Sequence, residues 1–178
     1  MRIKTYVIFL AWLFPAVSFA QDMQPFSSKV FISVSGEDNI KDEVESYISQ
    51  ELISLGDIIV TDKEPDWIIE IIAIEVKTKS GPKSGVDLSI VLLKPFNNQI
   101  IVNLVSKESK EWVSSQTSDL YRISRHWIEI GAPEDLRSIC NDIVADFNSH
   151  YIQPARDLWQ KTIDYQKTTI NKEADPNK

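Results

Sequence analysis

The sequence predicts an α+β domain: a single layer of about five or six mostly antiparallel strands, two amphipathic helices on one face, and a further helix at the C-terminal end. Three observations carry this prediction. Residues 29–35 alternate apolar and polar side chains with period 2, the pattern of a half-buried strand. Residues 38–55 and 133–148 place apolar side chains three and four apart, the pattern of a helix with one buried stripe. Between these helices lie short runs rich in β-branched residues, punctuated by glycine, proline and asparagine.

Residues 1–20 read as a cleavable secretory signal peptide. Arg2 and Lys4 form a basic start, nine apolar residues follow at 6–14, and Ser18 and Ala20 are small enough to precede a cut between Ala20 and Gln21. Nine apolar residues fall far short of the roughly 20 that a membrane-crossing helix needs, and no later run is longer, so no transmembrane span is expected. A lipid anchor would need a cysteine at the cut, and Cys140 is the only cysteine. The chain is therefore expected to be exported, to a bacterial periplasm in preference to the medium. Without the leader, about 158 residues remain, enough for one domain with its own core.

Residues 21–28 have no periodicity and form a lead-in; the domain spans 29–170. In the first strand Val30, Ile32 and Val34 share a face. The first helix carries Ile40, Val44, Tyr47, Ile48, Leu52 and Leu55, with Glu37 and Asp38 at its positive end and Gly56 as its stop. Residues 57–61 make a short strand, and a turn at 62–66 leads into 67–76, the most apolar segment of the domain. There Trp67, Ile69, Ile71 and Ala73 line one face while Ile68, Ile72, Ile74 and Val76 line the other, so the strand is a central one covered on both sides or one whose second face meets a partner. Loops at 80–85 and 96–98 reverse the chain into strands at 86–93 and 99–105, completing a three-stranded meander. Residues 112–114 read as a further short strand, 119–124 as irregular or briefly helical, and 126–130 as extended. Pro133, Glu134 and Asp135 open the second helix, whose stripe is Leu136, Ile139, Cys140, Ile143, Val144 and Phe147. Pro154 starts a weaker helix with Leu158, Trp159, Ile163 and Ile170, and 171–178 read as a disordered tail.

Composition and motif spacing narrow the function. The formal charge is −7, and without Arg2 and Lys4 it is about −9, which disfavours nucleic acid and anionic lipid as partners. The two histidines, His126 and His150, stand at no metal-ligand spacing from each other or from Cys140, so no metal and no cofactor are expected. The sequence contains no nucleophile elbow, phosphate-binding glycine loop or dinucleotide fingerprint. Ser80 and Lys83 match a serine-lysine spacing, but Gly81 and Pro82 prevent the helical turn that would bring them together. Glu70 and Glu75 lie five apart on one strand and point to opposite faces, so they cannot share a site. Glu70 alone is a candidate acid for a small secreted hydrolase.

Two features suggest binding. Arg122, Arg125, His126 and Trp127 form a basic and aromatic cluster suited to an anionic group on a partner, with pairing to Asp119 or Glu129 as the intramolecular alternative. The second sheet face, with Ile72, Val91 and Ile101 among its members, is too apolar for a solvated surface. Its expected cover is the C-terminal helix, with residues 106–125 or another chain as the alternatives.

The run Leu52-Ile53-Ser54-Leu55-Gly56-Asp57-Ile58-Ile59-Val60, a turn, then Pro65-Asp66-Trp67-Ile68-Ile69-Glu70-Ile71 resembles the αβ-plus-hairpin unit of periplasmic assembly-factor domains. Penicillin-binding-protein activators and the N-terminal domain of the Tol translocation protein are of this type. The resemblance covers element order over 29–150. It implies a non-catalytic module that binds other envelope proteins; the remaining expectation is a carrier of a small apolar ligand held between sheet and last helix. Oligomeric state is left open.

Overall fold

Alternation in the sequence becomes a two-faced sheet. In the computed structural model, which describes residues 24–118 and 120–174, strand β1 (Ser28–Gly36) buries Val30, Ile32 and Val34 and leaves the residues between them partly exposed. Helix α1 (Asp38–Ser54) buries Ile40, Val44, Ile48 and Leu52, one residue per turn, against that face. The chain then forms β2 (Ile58–Val60), β3 (Trp67–Lys77) and β4 (Lys83–Pro95), followed by short helices α2 (Gln99–Leu104) and α3 (Lys110–Thr117). It closes with β5 (Tyr121–Gly131), α4 (Leu136–Phe147) and the long helix α5 (Gln153–Ala174). Strand order is β2-β1-β3-β4-β5.

The fold is α+β with α1 and α4 packed on one sheet face, as the sequence predicts. Inward residues of β1, β3 and β4 meet Leu136, Cys140, Ile143, Val144 and Phe147 of α4 in one core. Each such side chain contributes about 1.5–3 kcal/mol through burial. At the lower end of the core, Trp67 meets Phe147 at 5.9 Å and Tyr151 at 5.0 Å between ring centroids, both edge-on. Cys140 is fully enclosed, and burial pushes its thiol up to about 12, so it stays protonated and behaves as a small hydrophobe.

The sheet is mixed. The strands β2 and β3 both run parallel to β1, one on each side of it, while β3, β4 and β5 are antiparallel. The cause is the β1-α1 connection, because a helix returning along the sheet delivers the next strand in the same direction. Thus β2 and β3 are not a hairpin. Residues 61–66 arch across the start of β1, held by Thr61 N–H to Val30 O (2.9 Å), Asp66 N–H to Lys29 O (2.8 Å) and the Lys29 N–H to the Asp66 carboxylate (2.8 Å).

Several sequence expectations are corrected. Of residues 99–105, read as the third meander strand, all but the extended Val105 form helix α2; Ile101 lies there and not on the sheet. The run Ile100-Ile101-Val102 favours a strand locally, but the place beside β4 is taken by β5, which pairs from Val86↔Gly131 to Pro95↔Tyr121. Residues 112–114 lie in α3, and 121–124 belong to β5. Asn148–Ile152 forms a π-type stretch joining α4 to α5, so Pro154 falls one residue after α5 begins. Helix α5 runs to Ala174, four residues into the segment read as a tail; 175–178 and the leader at 1–20 lie outside the described residues.

At the end of β1, Gly36 adopts φ +140°, and a Cβ there would stand 1.9 Å from the Ala73 carbonyl oxygen of β3. Both the backbone conformation and the contact exclude a side chain. Gly36→Ala is expected to destabilise the fold by roughly 2–4 kcal/mol in urea denaturation. A loss below about 0.5 kcal/mol, the range of an ordinary surface change, would show that the β1–β3 contact yields freely.

Candidate functional site

The open face of the sheet, away from α1 and α4, is built by every second residue of β1, β3, β4 and β5. Cross-strand register arranges it in rows: Phe31, Ile68, Leu93 and Ile123; then Ser33, Glu70, Val91 and His126; then Ser35, Ile72, Ser89 and Ile128; then Ile74, Asp87 and Ile130. Ile68 is buried, and Phe31, Val91 and Leu93 are half-buried. Towards the other end the face is bare. There Ile72, Ile74, Val76, Ile128 and Ile130 are exposed by between 42% (Val76) and 72% (Ile130), and Ile123, at the β5 edge of the first row, is exposed too.

The C-terminal helix, expected to cover this face, does not. Helix α5 is pinned at the opposite side of the sheet by a two-pronged pair from Arg156 to Asp57, just ahead of the edge strand β2. That guanidinium holds the Asp57 carboxyl below its usual range. Beyond this anchor, Leu158 and Tyr165 are exposed, showing that α5 has no sheet beneath it. The segment 106–125 leaves Ile72, Ile74, Ile128 and Ile130 uncovered as well.

The basic cluster is split by the strand that carries it. Arg125 and Trp127 point to the helix side, where the guanidinium lies 4.8 Å from the Trp127 ring centroid and pairs with Asp146 of α4. His126 points to the open face and shares a 3.0 Å hydrogen bond with the Ser89 hydroxyl. Arg122 lies beyond a register shift and stands opposite Lys94. The intramolecular partner of Arg125 is thus Asp146, a residue on α4 that no local spacing could indicate; Asp119 lies outside the described residues. Glu129 makes no ion pair among the described residues.

The glutamates face opposite ways: Glu70 is exposed on the open face and Glu75 is buried on the helix side. Glu75 accepts hydrogen bonds from Lys83 and from the Asn39 amide, and Lys77 lies 3.6 Å away. Lys77 also reaches Glu37 at 3.0 Å, so the cluster ties the start of α1 to the β3–β4 hairpin. Lys83, which the sequence presents as a solvated loop residue, is the first residue of β4 and the main partner of Glu75. Separately, a cleft of about 440 Å3 opens at the lower sheet end between Phe26, Pro65, Trp67, Pro95 and Ala155, with the Lys94 ammonium 4.7 Å from the Trp67 ring centroid. Among the described residues no group of three His, Cys, Asp or Glu could hold a metal ion, and no helix is long and apolar enough to cross a membrane.

No protein-family model matches the chain, and no curated protein matches it. Among solved structures it is similar to the PelC dodecamer of Paraburkholderia phytofirmans, at 14% identity over 69% of this chain and 87% of that one, with a TM-score of 0.38. A variant of the same dodecamer matches at 10% identity over 71% and 88%, TM-score 0.37. The rare lipoprotein B of Shewanella oneidensis matches at 11% identity over 79% and 98%, TM-score 0.20.

The hydrogen bond from Lys83, then that from Asn39, lower the Glu75 pKa from 4.5 against the opposing effect of burial. A carboxylate so held adds stability above the ordinary value, and the gain is lost as pH falls through the lowered one. Glu75→Gln is therefore expected to be less stable than the native chain near neutral pH, with the gap narrower at a pH well below the ordinary 4.5. Urea denaturation at both pH values measures this, and an equal gap at both would show that the charge contributes nothing.

Proposed function

We propose that this chain is an exported, non-catalytic module that binds another protein of the bacterial envelope through the open face of its sheet. The observation that carries the reading is the set of bare isoleucines, Ile72, Ile74, Ile128 and Ile130, over which no element lies among the described residues. A monomer leaving that surface in water forgoes about 1 kcal/mol or more per half-exposed isoleucine, which a partner recovers. The charges among them set specificity more than affinity. Glu70 and Asp87 sit between apolar neighbours, so a partner must bring a donor or a cation to each or leave a carboxylate desolvated.

The leader-like start at 1–20 and the element order shared with periplasmic assembly-factor domains support the envelope setting. Val91 contributes from the half-buried middle of the face, while Ile101 belongs to α2 and is not a residue of the sheet. The cleft beside Trp67 favours a second, smaller role in holding a compact ligand with an apolar body and an anionic end near Lys94. Native mass spectrometry of the purified protein would reveal such a ligand as retained mass, and its absence would remove that role.

Ile72→Lys and Ile74→Lys are expected to abolish the crosslinked partner that the native chain captures from envelope extract, while urea midpoints stay near native because both side chains are already half in water. Loss of the fold in both variants, or undiminished capture by both, would overturn the reading.

A further inference from the structure

Strand β5 is the last strand of the sheet, and its outer side meets no other strand among the described residues. It is 11 residues long, contains neither proline nor lysine, and its one irregularity is the register shift near Ser124, which leaves residues 125–131 regular. Edges of this kind template the addition of another strand unless they are guarded.

From the edge geometry and its charge pattern we infer that β5 pairs antiparallel with β5 of a second copy of this chain, with Trp127 of each copy opposite the other. The argument is charge complementarity. Arg125, Trp127 and Glu129 share the helix side of the strand at spacings of two, so the triplet read backwards is its own complement. With Trp127 at the two-fold axis, Arg125 of each copy faces Glu129 of the other, and the pair forms twice. Centring on Ile128 would set Trp127 against Glu129, and centring on His126 would set it against Arg125; neither register makes a charge pair.

The side chains are free to do this. The contact of Arg125 with Asp146 runs through one terminal nitrogen and leaves the others available, and Glu129 is not committed to any cation among the described residues. On the opposite face this register sets His126 beside Ile128 of the second copy, bringing the isoleucines of both open faces into one wider apolar surface. The dimer concerns the edge and the proposed partner surface concerns the face, so each stands or falls separately.

Register-specific crosslinking tests it. His126→Cys and Ile128→Cys change exposed side chains, and Cys140 is buried and unreactive. Under mild oxidation, a mixture of the two single variants of the full chain is expected to give a disulfide-linked heterodimer at least about tenfold faster than either variant alone. Light scattering should show a native dimer, and Glu129→Lys should weaken it about tenfold or more by placing like charges opposite each other at two positions, with circular dichroism unchanged. A native monomer, self-crosslinking of either single variant as fast as the mixture, or a dimer indifferent to Glu129→Lys would each overturn the inference.

Discussion

The register of β3 between β1 and β4 is the constraint on which the rest depends. Side chains on a strand alternate faces, so a slip of one residue would exchange the two sets completely. For β3 the exchange looks cheap, because Trp67, Ile69, Ile71 and Ala73 on one face are matched by Ile68, Ile72, Ile74 and Val76 on the other. Polar residues break the tie. In the native register Glu75 faces inward and meets Lys83 and Asn39, while Glu70 faces outward into water. A slipped strand would bury Glu70 among apolar residues with no cation waiting for it, a cost of several kcal/mol. Gly36 adds a geometric lock, since only a residue without a side chain fits against Ala73 in this alignment.

That choice of register determines what the surface offers. Once β3 commits its tryptophan and one set of isoleucines to α1 and α4, the other set has to lie on the far side, whatever stands there. The neighbouring strands do not dilute it enough: β4 contributes Asp87 and Ser89, but β5 adds Ile128 and Ile130. The helix that could have covered the face is drawn to the other edge by the pair between Arg156 and Asp57. The same sequence that stabilises the core therefore creates an apolar surface, and the antiparallel β3-β4-β5 half brings that surface out to β5, the last strand among the described residues.

Much of the fold was legible in the sequence because its signals are local. The stripe of α1 and the period-2 pattern of β1 are read within a dozen residues, and both elements lie within two residues of where the patterns put them. The misreadings share a physical cause. Residues 99–105 are β-branched and apolar, yet they form a helix because a strand exists only where a neighbour offers an unfilled ladder, and β5 fills the one beside β4. The parallel placement of β2 and β3 on either side of β1 depends on how a short arch crosses the sheet end, which no composition records. For the candidate surface, the sequence reading put Ile72 and Val91 on one face, as the register does, but left out Ile123, which it read outside the strand, and Ile128 and Ile130, which it read as extended without a place in the sheet.

By itself the sequence determined which residues alternate, which helices have one apolar stripe, that the strand at 67–76 is apolar on both faces, and that Glu70 and Glu75 oppose each other. These follow from fixed periodicities of helix and strand, which neighbours do not alter. Only the tertiary structure decided that the second face stays open and that β5 ends the sheet among the described residues, that Arg125 answers to Asp146, and that Lys83 neutralises Glu75. Each of these joins residues far apart in the chain, and their meeting is set by strand order and helix placement, quantities that emerge from the packing of the whole domain.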